Sequence, residues 1–203
     1  MPYLISAILG YFLGCLSPSY MLSKRKDVDL RENGTGNMGA TNTMLNMGFR
    51  YGVMVMVFDI IKAFLAVKIA QKLFPAKLLV GTLAGCGAII GHIFPFYLGF
   101  KGGKGLATLG GFVLAVDPSA FVVLLAIGVA VSFLIDYSCG VPLSASSLFP
   151  FFLAHHAQSL PVFVVTGMTG VVLLCKHREN VRNIKNGTEI KLRPYLKEHL
   201  GSK

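Results

Sequence analysis

Seven stretches of almost unbroken apolar residues dominate this chain, and they leave little choice of fold. They lie at about 3–23, 51–74, 78–98, 105–116, 119–136, 143–157 and 160–175. The first three each run over 20 residues, enough to cross a hydrocarbon core of roughly 30 Å at ~1.5 Å rise per residue. Backbone N–H and C=O groups in such a core must be satisfied within the segment, and a helix does this. The runs are continuous and show no period-two alternation, which argues against an outer-membrane barrel. Charged residues make up only 14% of the chain, against roughly 25% in a soluble domain. The first run begins at Tyr3 without a basic stretch before it, which reads as a first span and not as a cleaved leader. The expected fold is an all-α polytopic membrane protein, with residues 1–203 forming one integral-membrane domain that ends in a basic tail, 176–203.

Charge sets the expected topology. Asp117-Pro118 divides the apolar stretch 105–136. Proline blocks helix continuation and restricts the residue before it, so a turn is expected there. The net charge is +10, and fifteen of the nineteen Lys and Arg residues fall in 24–50, in Lys101 and Lys104, and in the tail. Basic segments collect on the cytoplasmic side of a membrane protein. Seven spans place all three regions on that side, with the N-terminus outside and the C-terminus in the cytoplasm. No aromatic-interleaved basic patch appears, so nucleic acid is not an expected partner. Membrane lipid is.

Three polar stretches then share the cytoplasmic face. The first is Gly34-Thr35-Gly36-Asn37-Met38-Gly39-Ala40-Thr41-Asn42. Its glycines allow positive φ and close backbone approach, and successive N–H groups in such turns form anion-binding nests. An ordinary Gly/Asn loop would read the same way. The second is Gly99-Phe100-Lys101-Gly102-Gly103-Lys104-Gly105-Leu106-Ala107-Thr108. Bare backbone and two lysines here precede an apolar helix, whose free N-terminal N–H groups attract phosphate. It lacks the G-x-x-x-x-G-K-[ST] spacing of a P-loop, and a basic turn at the membrane surface is its plainer reading. The third is Lys176-His177-Arg178-Glu179-Asn180, followed by Arg182, Gly187 and Glu189. A solvated basic tail on anionic lipid is the plainer reading there.

Other polar residues read as structural. Asp59 and Lys62 stand at i, i+3 inside the second run, which places them on one helix face as an ion pair or hydrogen-bond anchor. His92 reads as a satisfied interior histidine, and His155-His156 as interfacial. Cys15, Cys86, Cys139 and Cys175 form no C-x-x-C pair, and neither a disulfide framework nor a zinc site is expected. There is no H-E-x-x-H or G-x-S-x-G, and the nine carboxylates lie mostly outside the motifs. Neither a metal site nor a Ser-His-Asp triad fits. Donors remain: backbone N–H, Lys, Asn, Thr and His. That set suits a phosphorylated ligand. An enzyme, a non-catalytic membrane protein and a transporter of a phosphorylated metabolite all satisfy it. Clustering at one face favours the enzyme, because a transporter uses broken helices at the midplane.

In order and composition these stretches resemble the bacterial acyl-phosphate:glycerol-3-phosphate acyltransferase (PlsY) family. Gly34–Asn42, Phe58-Asp59 with Lys62, Gly91-His92 through Thr108, and His177–Asn180 with Arg182, Gly187 and Glu189 carry the likeness. It implies a seven-helix bacterial inner-membrane enzyme with its active site at the cytoplasmic face. The substrates would be acyl phosphate and glycerol 3-phosphate, and the product lysophosphatidic acid. No cofactor, metal or acyl-enzyme is implied. Lys104, His177 and Asn180 are the expected catalytic residues. Thr35, Gly36, Asn37, Gly39, Thr41, Asn42, Lys101, Gly102, Gly103, Gly105 and Thr108 are the expected substrate-binding residues. Three positions depart from the pattern: Thr35 for the usual Ser, Leu45 for the usual Arg, and Pro142 near a usual Ser.

Overall fold

A computed structural model describes residues 1–75, 79–189, 191–194 and 197. The end of the basic tail, 198–203, lies outside them. The described residues are helical, apart from loops and one isolated bridge between Tyr137 and Lys191. They form two compact units, Met1–Pro118 and Ser119–Lys203. Three stretches, Pro2–Lys26, Leu79–Leu98 and Pro118–Ile135, are long and apolar enough to cross a membrane. The bent pair Leu160–Lys176 and Arg178–Lys185 makes a fourth if counted as one span.

Unit 1 contains α1 (Pro2–Cys15), α2 (Pro18–Lys26), α3 (Ala40–Met47), α4 (Phe49–Leu73), α5 (Leu79–Ile93) and α6 (Leu106–Val116). The expected single run over 3–23 is broken after Cys15. Pro18 is the cause: its ring would clash with the carbonyl four residues back, and it has no N–H to donate. Pro18 instead takes the first position of α2, with Ser17 as N-cap accepting from the Tyr20 N–H at 3.3 Å. The break exposes two carbonyls that a continuous helix would have satisfied. The Tyr97 hydroxyl donates to that of Cys15 at 2.8 Å, and the Lys62 ammonium to that of Leu16 at 2.7 Å. Inside the polar segment 24–50 lies α3, a two-turn helix that no apolar run marks.

Small residues bring α1 and α5 together. Gly10 and Gly14 are four apart on α1, and Gly87 and Gly91 four apart on α5. A Cβ on Gly10 would stand 2.0 Å from the Ala84 carbonyl oxygen, and one on Gly14 2.1 Å from that of Ala88. In return, one on Gly91 would meet the Tyr11 carbonyl oxygen at 2.0 Å. The two backbones are thus in direct contact, as in membrane helix pairs of the small-x-x-x-small type, where lipid supplies no hydrophobic drive and close packing must. Ala63, Ala66 and Ala88 continue this tight seam to α4. Gly111 fits α6 against the Ile60 backbone of α4 in the same way.

Unit 2 contains α7 (Pro118–Ile135), α8 (Gly140–Ala157), α9 (Leu160–Lys176) and α10 (Arg178–Lys185). The expected turn at Asp117-Pro118 is present, with α6 ending at Val116 and Pro118 opening α7. Pro142 falls in the first turn of α8, where its missing N–H has no intrahelical acceptor in any case. The start of the tail is fixed to the end of α7. The Leu192 N–H donates to the Asp136 carbonyl, and the Arg193 guanidinium to that of Phe133.

The α1–α5 contact makes a stability prediction. Gly14→Ala should lower the thermal unfolding midpoint of purified protein by roughly 5 °C or more, since overpacking costs about 1–3 kcal/mol. Gly167→Ala, where an added Cβ meets nothing within 4 Å, should leave the midpoint within about 2 °C. Equal midpoints for both variants would contradict the packing described.

Candidate functional site

Unit 1 holds two glycine-rich segments, and each opens a helix. Gly39 is the N-cap of α3 and Gly105 the N-cap of α6. The first-turn N–H groups of both helices have no intrahelical acceptors, and they carry the positive end of the helix dipole. Gly105 has φ +88°, a left-handed conformation that favours glycine. The sequence announced this arrangement at Gly105 but not at Gly39, because the helix behind Gly39 is short and polar.

The first segment is organised by Asn42, which is 1% exposed. Its Oδ1 accepts from the Thr35 N–H at 2.8 Å, and its Nδ2 donates to the carbonyls of Leu30 at 2.7 Å and Asn33 at 3.1 Å. Asn46 Nδ2 donates to the same Oδ1 at 3.0 Å. Asn42 therefore serves the loop itself, where the sequence reading had it contact substrate. The folded loop leaves Thr35, Gly36 and Thr41 exposed and Asn37 half-buried.

The second segment is seated on the end of α5. The Gly102 N–H donates to the Ile93 carbonyl at 3.0 Å, and the Gly103 N–H to that of His92 at 3.1 Å. These two N–H groups were expected to hold phosphate. They are engaged inside the fold, so the anion-receptive backbone begins further on, at the start of α6. Lys104 is half-buried just before that helix. Thr108 is fully buried in its first turn, and its Oγ1 has no hydrogen-bond partner among the described residues. Lys101 is exposed and lines a cavity of about 530 Å³ with Tyr20, Lys24, Arg31, Met38 and Tyr97, among others. The cavity brings the two glycine-rich segments to one place, and Lys101 is the only expected site residue in its lining.

In unit 2, His177 joins α9 to α10 and is 4% exposed. Its Nδ1 lies 2.9 Å from the Leu173 carbonyl oxygen. A carbonyl only accepts, so Nδ1 carries a proton and the ring orientation is fixed. Asn180 Nδ2 donates to Glu189 Oε1 at 2.7 Å. Gly187, at φ +70°, turns the chain back to bring Glu189 there. Glu189 was legible as part of the third motif, but its role as the partner of Asn180 was not.

Apolar spans, with a glycine-rich helix opening preceded by Lys101 and Lys104, define an integral membrane protein with a polar region of backbone and basic donors. The comparisons with known proteins narrow that class. The chain belongs to the glycerol-3-phosphate acyltransferase family, whose model matches residues 4–187. It is 34% identical to the glycerol-3-phosphate acyltransferase of Aquifex aeolicus, over 93% of this chain and 98% of that protein. With the enzyme of the same name from Clostridioides difficile it shares 36% over 94% and 95% of the two chains. Among solved structures it resembles PlsY (YgiH), an integral membrane glycerol 3-phosphate acyltransferase. The glycerol 3-phosphate form matches with TM-score 0.88 and 31% identity over all of both chains. The lysophosphatidic acid form matches with TM-score 0.83 and 32% identity over 94% and 95%.

The loop makes its own prediction. Asn42→Ala would leave the Leu30 and Asn33 carbonyls and the Thr35 N–H without their partner, at about 1–3 kcal/mol for each group left buried. Trypsin cleavage after the exposed Arg31 should then accelerate by about tenfold or more. An unchanged cleavage rate would show that Asn42 does not organise the loop.

Proposed function

We propose that this chain transfers a fatty acyl group from acyl phosphate to glycerol 3-phosphate, forming lysophosphatidic acid for phospholipid synthesis. One observation carries the chemistry: half-buried Lys104 stands immediately before the left-handed glycine that opens α6. A lysine thus directly precedes a set of N-terminal N–H groups, a pairing that suits a phosphate and the negative charge that develops during acyl transfer. Family membership and the PlsY likeness support the acceptor and the product.

Acyl phosphate is already activated, because phosphate is a good leaving group. The glycerol hydroxyl oxygen attacks the acyl carbonyl carbon, a C–O bond forms, and the C–O bond to phosphate breaks. A phosphate oxygen of a substrate takes the hydroxyl proton, so no carboxylate base is needed. The protein supplies alignment and charge stabilisation. Lys104 and the α6 N-terminus, with Gly105 and Thr108, act on the developing charge and the phosphate. Lys101, Thr35, Gly36, Asn37, Gly39 and Thr41 form the surrounding phosphate-binding surface. His177 and Asn180 orient the acceptor, each in the rotamer fixed by Leu173 and Glu189. Leu45 offers no guanidinium for the acceptor phosphate, so exposed Arg50 is the nearest basic residue in sequence for that role.

We place the enzyme in the bacterial inner membrane as one domain of seven spans, with the active site at the cytoplasmic face. Fifteen of the nineteen basic residues support that orientation. As a helix α6 is only about 17 Å long. That length suits a glycine-rich loop recessed into the headgroup layer.

Lys104→Ala should lower kcat/KM for acyl transfer by at least ~10²-fold, the loss typical of a removed charge-stabilising donor. Lys101→Ala should cost about tenfold or less, as expected of an exposed cation. Near-normal turnover by folded Lys104→Ala would remove Lys104 from the chemistry.

A further inference from the structure

Asp59, Lys62 and His92 meet at one buried point and are 2%, 3% and 7% exposed. The Lys62 ammonium lies 2.6 Å from Asp59 Oδ1, 3.0 Å from His92 Nδ1 and 2.7 Å from the Leu16 carbonyl oxygen. The Leu16 carbonyl and His92 Nδ1 are its hydrogen-bond partners, and Asp59 faces it as the ion-pair partner. Asp59 Oδ1 is also 3.3 Å from His92 Nδ1. The other edge of the imidazole faces the Gly102–Lys104 loop. A Cβ on Gly103 would stand 2.1 Å from His92 Nε2, and its three nearest atoms all belong to that ring. The His92 backbone grips the same loop through the Gly103 N–H.

An Asp–His pair invites a general-base reading, but Nδ1 is turned to Lys62 and Nε2 lies against Gly103 of the loop. We propose instead that Asp59, Lys62 and His92 are positioning residues: they fix the imidazole as the seat of the glycine loop and so set where Lys104 and the first turn of α6 stand. The inference rests on the reading that Lys104 acts on the transferred group. The mechanical part can be observed without it. The cluster holds the ring from one side, the loop lies on the other, and Lys104 is the next residue along the chain. A shift of one ångström at a reacting group is enough to cost a large factor in rate.

Three variants test this: Lys62→Met and His92→Gln from the cluster side, and Gly103→Ala from the loop side, which keeps all three cluster side chains and guards against a cluster variant that fails to fold. Each is purified and measured for kcat, for KM toward glycerol 3-phosphate, and for amide exchange of peptides over 99–106 and over α7–α9. We expect kcat to fall about tenfold or more while KM stays within about threefold, the pattern of an interaction felt in the transition state. Exchange should rise at 99–106 and stay unchanged over α7–α9. Adding Lys104→Ala to His92→Gln should cost under about threefold beyond Lys104→Ala alone, because residues acting through one group are not additive. Multiplicative losses would overturn the proposal, as would exchange rising throughout the chain or unchanged exchange at 99–106. If the wild type transfers no acyl group, the functional reading fails, and the exchange result alone still decides whether the cluster holds the loop.

Discussion

The buried Lys62 ammonium is the constraint around which unit 1 is arranged. A cation in an apolar interior is tolerated when its charge is opposed and hydrogen-bond partners surround it. Asp59 opposes the charge from one turn earlier on α4, and His92 and the Leu16 carbonyl complete the set. That carbonyl is available because Pro18 ends α1. A helix break that would be a defect elsewhere here supplies a ligand. Removing one member of such a buried pair typically costs ~3–5 kcal/mol, because the other charge is left uncompensated. The ion pair therefore fixes the relative placement of α1, α4 and α5 more than it adds net stability.

Close packing of small residues makes this possible. The ammonium reaches Leu16 and His92 together because α1 and α5 approach at backbone distance through Gly10, Gly14, Gly87 and Gly91, and Ala63 and Ala66 of α4 pack against Ala88 of α5. Larger residues would hold the helices apart and open the cluster. The same economy of side chains appears at the two polar segments, which hold glycine backbone, hydroxyls and amides in the first and two lysines in the second, with no carboxylate in either. Such a site suits an activated donor, for which positioning and charge stabilisation are most of what catalysis requires.

Much of this was legible in the sequence, for physical reasons that differ by element. The apolar runs at 119–136 and 160–175 match α7 and α9 within a residue or two, since hydrophobic length alone defines them. Asp117-Pro118 marked a boundary because proline acts locally. Pro18 acts by the same rule, but it sits inside a run whose apolar character hid it. Asp59 and Lys62 were legible as a pair from their spacing. Their link to His92 and Leu16 was not, because long-range contacts leave no local pattern. For Asn42 and for Gly102-Gly103 the residue types pointed to a ligand, while their hydrogen bonds turn inward. An amide or a bare N–H reads alike in sequence whichever partner it finds.

The central claim is acyl transfer from acyl phosphate to glycerol 3-phosphate. It is tested most directly by giving the purified wild-type protein labelled glycerol 3-phosphate with acyl phosphate, and in parallel with acyl-CoA. The account predicts labelled lysophosphatidic acid and an equal amount of released phosphate from acyl phosphate, with no product from acyl-CoA. Product from acyl-CoA alone, or none from either donor, would contradict it.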